Sequence, residues 1–204
     1  MSRNALPPRP LFQGQLDRFC AVYAVLNACR LIFSLRVQDA AAIFADTLAS
    51  LAASPEAFRA VLAQTTDYAF LVDDVTARCQ ARYPLRQHRP FPAGAGGTVS
   101  PEALWTALED WLSSPGRTAI IRFQRFLIPG GPALVRHWTA ARAVEGDSLE
   151  LYDCSIQENA VRSIPEFGFA TDPQRIGLDR LLLVEPEHVR FLESAFGERR
   201  RQDS

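Results

Sequence analysis

The sequence predicts an α+β fold, and three observations carry that reading. Helical periodicity dominates the chain from Cys20 to about Leu112, and alternating strand patterns dominate from Thr118 onward. Helices followed by strands, not alternating with them, indicate an α+β arrangement. The chain of 204 residues is long enough for one domain with a real core, and its 48% hydrophobic and 22% charged composition is that of an ordinary globular protein.

The first helix is read from Cys20 to Leu35. No Gly or Pro interrupts Cys20 to Phe33, and Ala21, Val22, Ala24, Val25, Leu26, Ala28, Leu31 and Ile32 leave little polar face. Such a helix is buried on most sides. Residues 1–14 form a proline-rich extended arm before it, and Gln15 to Arg18 a polar loop. Further helices are expected over Val37–Ala53, Pro55–Ala63 and Leu71–Tyr83, and another starts at Ser100-Pro101 and runs to Leu112. Ser54 and Pro55 mark a start, as an N-cap followed by Pro in the first turn. Arg86-Gln-His-Arg-Pro90 reads as a polar loop, and Arg89 to Val99 as flexible. Strands follow at Thr118–Phe126, His137–Ala143, Ser148–Asp153 and Leu178–Val184, then a short helix from Glu187. The expected division is a single domain: arm 1–14, mainly helical lobe 15–115, mainly β lobe 116–190, and tail 191–204.

Composition excludes several function classes. A formal net charge of -1 argues against nucleic acid as a partner. No apolar run approaches the ~20 residues of a membrane span, and no signal-peptide core opens the chain, so no membrane partner is expected. The four cysteines show no CxxC and no metal-ligand spacing with the histidines, so neither a metal nor a cofactor is expected. Reduced thiols point to a cytoplasmic location. Ala93-Gly-Ala-Gly-Gly97 lacks the Gly-Lys-Ser/Thr of a phosphate loop.

Four residues stand out for chemistry. Gln15, Cys20, His137 and Asp153 supply an amide, a thiol, an imidazole and a carboxylate. In thiol catalysis the thiolate attacks a carbonyl, the imidazole takes and returns the proton, and the carboxylate orients the imidazole. An amide before the nucleophile can hold the developing oxyanion. At the first turn of a buried helix, Cys20 would meet unpaired N–H groups and the positive dipole end, which favour a thiolate. Gln13 is a second candidate for the oxyanion donor, with a poorer spacing from Cys20. Cys29 and Cys79 read as core residues. Cys154, next to Asp153 on a strand, should face the opposite side. His88 and His188 lie in settings that do not suggest proton transfer.

The two strands around Glu145-Gly146-Asp147 form a hairpin, and its register decides whether His137 meets Asp153. A three-residue loop, Val144-Glu145-Gly146, pairs Ala143 with Asp147 and sets His137 opposite Asp153. A two-residue loop reverses the parity and separates them. The functional reading therefore requires an odd-length loop or a bulge. Thr139, Ala141 and Ala143 share the His137 face and suit a helix packed closely against it.

Gln-x4-Cys-Ala-x4-Leu-Asn opening a helix, with His-Trp-x3-Arg and an acid on the next strand much later, resembles the papain-like cysteine peptidases. Josephin-type deubiquitinases and bacterial double-glycine leader peptidases are the most similar branches. The third position is often Asn in the former and is Asp153 here. The nucleophile is followed by Ala-Val-Tyr, not by the Gly common in the latter. The resemblance implies a helical lobe on a small antiparallel sheet with a cleft between. It implies Cys20 as nucleophile, His137 as general base and acid, Asp153 as orienter and Gln15 as oxyanion donor. It also implies a peptide or protein substrate, either a ubiquitin-like protein or a leader peptide, cut beside small residues. An acyl-transferase on the same triad and a non-catalytic peptide-binding module are the alternative readings.

Overall fold

In a computed structural model the described residues are 9–13, 19–63, 68–155 and 161–196. Four helices come first: α1 (Cys20–Phe33), α2 (Val37–Ala52), α3 (Pro55–Leu62) and α4 (Ala69–Gln80). Strand β1 (Leu85–His88) and helix α5 (Pro101–Leu112) follow, then β2 (Arg117–Phe126), β3 (Ala133–Glu145) and β4 (Ser148–Tyr152). The short strands β5 (Ser163–Pro165), β6 (Phe169–Ala170) and β7 (Leu182–Val184) precede β8 (Arg190–Ser194). The architecture is α+β. No described helix is long and apolar enough to cross a membrane.

Helix α1 ends at Phe33 because Ser34 turns left-handed (φ 55°) and returns its N–H to the Arg30 carbonyl. Ser54 occupies the N-cap of α3 but makes no side-chain cap bond, whereas the Ser100 side chain accepts from Ala103 N–H and caps α5.

The sheet runs β1-β8-β2-β3-β4-β5, with β7 pairing the far end of β2 and β6 pairing β7 in parallel; its other pairs are antiparallel. Several strands differ from expectation: β5 and β6 are not among those the sequence predicts, and the strand expected over Leu178–Val184 is confined to Leu182–Val184. Leu85–His88 is no loop but an edge strand, and Arg190–Ser194 is a strand between β1 and β2. The helix expected from Glu187 is only a 3-10 turn over Pro186–His188. A tail beginning at 191 therefore starts inside β8, and the 15–115 segment contributes a strand to the sheet.

Alternation along the strands splits the core in two. Ile120, Trp138, Ala140, Tyr152 and Leu192 cluster with α1, α2 and α4. Ala119, Ile121, Phe123, Ala141, Leu151 and Phe191 cluster with α5 on the other face. The small residues Ala119 and Ala141 do admit a helix, but it is α5. Helix α1 packs on the opposite face, so helices cover both faces of the sheet.

The N-terminal arm is fastened along α1. Leu11 N–H donates to Asn27 Oδ1 at 2.7 Å, and Asn27 Nδ2 donates to the Leu11 carbonyl at 3.1 Å. Arg30 Nε donates to the Arg9 carbonyl at 2.8 Å, and Gln13 N–H to the Cys154 carbonyl at 2.9 Å. Asn27 is fully buried, so its amide is committed to holding this backbone. Asn27→Ala should cost about 3 kcal/mol, because the Leu11 groups lose both partners. Urea unfolding checks this; a shift within error would mean that the arm contributes nothing to stability.

Candidate active site

Cys20 opens α1 as its first residue, after Phe19 at the N-cap position, and is buried. Helical N–H groups in this first turn lack acceptors within the helix. His137 lies midway along β3 and is 8% exposed; Asp153 follows β4 directly and is also 8% exposed.

The hairpin meets the parity requirement by the second of its two routes. Glu145 pairs with Ser148, so the loop is the two-residue Gly146-Asp147, with Gly146 at φ 63°. The expected three-residue loop is not formed. A register shift between Ala141 and Ala143 absorbs Arg142, and beyond it Ala141 pairs with Leu151 and Ala140 with Tyr152. One further step sets Asp153 opposite Thr139, two residues from His137 and on the same face. The pair is thus diagonal, not directly opposed, and still closes: His137 Nε2 lies 2.6 Å from Asp153 Oδ1. Cys154 N–H donates to the same Oδ1 at 2.8 Å, which fixes the carboxylate.

The β3–β4 pairing ends at Ala140 and Tyr152, before it reaches His137. Phe123 meets the His137 ring edge-on at 5.5 Å, and the Cys20 thiol is close enough to act on it both as a hydrogen-bond partner and as a charge. With Nε2 held by Asp153, Nδ1 is the ring nitrogen left for Cys20.

Burial opposes the charged imidazole most strongly, yet Asp153, Cys154 and Cys20 together outweigh it and hold His137 well above the usual histidine range. Burial alone would raise the Asp153 carboxyl. The bond and charge of His137, helped by Ser155 and Thr139, bring it below the usual carboxylate range. Both shifts favour the charged pair, imidazolium with carboxylate.

Cys154 is the residue that sequence reasoning misplaced. Strand alternation would turn it away from Asp153, but the strand has ended at Tyr152. Its Sγ instead lies 3.9 Å from His137 Nε2 and 3.6 Å from Gln13 Oε1. Burial pushes this thiol up, against the pull of His137. Gln13 enters the site by the same contact. Gln15 lies outside the described residues. Cys29 and Cys79 are fully buried in the core beside α1 and α4. His88 pairs with Glu193 at 3.0 Å, and His188 packs edge-on against Trp138 at 5.3 Å, both apart from this cluster.

A thiol at a helix start, an imidazole beside it and a fixed carboxylate behind can move one proton between sulfur and a leaving group. No family model, no curated protein and no solved structure matches the chain.

Proposed function

We propose that the chain is a papain-like cysteine peptidase or isopeptidase that cleaves an amide bond in a peptide or protein. One observation carries this reading: Cys20 and Asp153 approach His137 together, the carboxylate at 2.6 Å from Nε2. Cys20 attacks the carbonyl carbon through its sulfur, and His137 carries the proton that the thiol gives up. Cys20 N–H and a glutamine amide hold the oxyanion. The intermediate collapses to a thioester, and His137 gives the proton to the departing amine. Water, deprotonated by His137, then attacks the thioester and returns the free thiol. The substrate class follows the resemblance: a ubiquitin-like tail or a leader peptide with small residues next to the scissile bond.

The test is covalent labelling by an electrophilic peptide probe. Labelling at Cys20 that His137→Ala blocks is the expected result. Labelling that ignores His137→Ala would leave only a reactive thiol in a binding module. A panel of acyl-aminocoumarin peptides and ubiquitin-like fusions then separates the two substrate types.

The oxyanion donor is tested by comparing two glutamines. Gln15→Ala should lower turnover about a hundredfold with little change in stability. Gln13→Ala should have a much smaller effect on turnover. The reverse order, read from kcat on folded protein, would transfer the role to Gln13, whose amide oxygen already meets Cys154.

A further inference from the structure

We infer that His137 Nε2, Asp153 Oδ1 and Cys154 Sγ form a binding site for a thiophilic divalent cation of the Zn²⁺ type. These three donor atoms lie within 4.8 Å of one another. They are an imidazole, a carboxylate and a thiol, the donor set that Zn²⁺ takes in proteins. All three residues are buried, Cys154 to 1% exposure, so the donors are held by packing and not by chance proximity on a surface.

The spacing can be tested against tetrahedral geometry. Bond lengths of about 2.3 Å to sulfur and 2.0–2.1 Å to nitrogen and oxygen put S···N near ~3.6 Å and N···O near ~3.3 Å. The observed Sγ···Nε2 distance of 3.9 Å must close slightly, and the Nε2···Oδ1 distance of 2.6 Å must open. Opening is what removal of the shared proton would do. Gln13 Oε1 lies 3.6 Å from Sγ, a further oxygen next to the three donors.

A dication held by a thiolate, a carboxylate and a neutral imidazole sums to zero, and binding releases the protons that the donors carry. A buried site therefore gains no uncompensated charge. The exchange also takes Nε2 and its carboxylate away from the proton relay. On the hydrolase reading, which this consequence rests on, the cation inhibits turnover without touching Cys20.

Co²⁺ titration of the full chain tests binding independently of activity. One equivalent should produce a near-ultraviolet thiolate-to-metal charge-transfer band and visible bands of tetrahedral intensity. The band should vanish in Cys154→Ser, persist in Cys20→Ser, and disappear on adding Zn²⁺. In the wild type, Zn²⁺ should protect Cys154 from alkylation by N-ethylmaleimide, read by mass spectrometry, which requires no variant to fold. Cys154→Ser should lose at least about tenfold in sensitivity to Zn²⁺, read as the ratio of its own turnover with and without the cation. Absence of a thiolate band, a band that depends on Cys20 instead, or alkylation of Cys154 unaffected by Zn²⁺ would overturn the site. Binding with no measurable turnover in any substrate panel would leave the metal site standing and remove the hydrolase reading.

Discussion

Replacing Cys20 by alanine is expected to abolish amide cleavage, by about 10⁴-fold or more, while the chain remains folded. The magnitude follows from covalent catalysis: without the sulfur there is no thioester, and the remaining groups can only polarise a carbonyl. His137→Ala should cost about as much, and the double variant little more than either one. Groups that act as a unit are strongly non-additive. The structural cost of Cys20→Ala is small, since Cys20 lies at the helix start and loses one buried sulfur. Steady-state kinetics on the three variants provide the measurement, with circular dichroism as the folding control. Full multiplicativity of the two single losses would mean that Cys20 and His137 act independently, and the triad would fall.

The parts of this site that were legible in the sequence are those set by local pattern. The uninterrupted apolar run after Cys20 specifies a buried helix, and that helix starts at Cys20. The hairpin pattern specifies that His137 and Asp153 belong to neighbouring strands, and parity alone shows that an even loop needs a bulge. Which of the two solutions the chain uses was not legible. Gly146-Asp147 closes a tight turn, and the compensating shift falls at Arg142, a residue with no turn or bulge signal of its own.

What was missed depends on long-range pairing or on where an element stops. Strand β1 buries only Leu85 fully and carries Arg86 and His88 on its exposed positions, so it reads as a polar loop until β8 pairs with it from about a hundred residues away. Strand β8 is legible only with its two neighbours present. Cys154 was assigned to the wrong side because alternation was extended two residues past the end of β4. The arm could be read as extended, but not as a strap: the motif residue Asn27 holds it by two hydrogen bonds to Leu11, a contact sixteen residues away in sequence.

Asp153→Asn is the sharpest test of how the site is charged. Asparagine keeps an oxygen for His137 Nε2–H and for Cys154 N–H, so the geometry of the two bonds to Oδ1 can survive. What disappears is the negative charge. Burial is the strongest influence on His137 and pulls toward the neutral imidazole; Asp153 is the first of the groups that overcome it. With the charge removed, the imidazolium should be lost at lower pH. His137 is raised in the folded state, so the pair's stabilisation is present below the unfolded histidine value and fades as pH rises through the folded one. Asp153 is lowered, so its share is present above the unfolded carboxylate value and fades as pH falls through the folded one. The wild type should therefore show a plateau of stability between these limits, with an alkaline limb of kcat set by His137. In Asp153→Asn that limb should move to lower pH, and turnover at neutral pH should fall by about a thousandfold. The measurements are pH profiles of kcat and of urea midpoint for both proteins. An alkaline limb that stays in place would mean that His137 does not depend on the Asp153 charge, and that the thiols beside the ring, Cys20 and Cys154, hold the imidazolium without it.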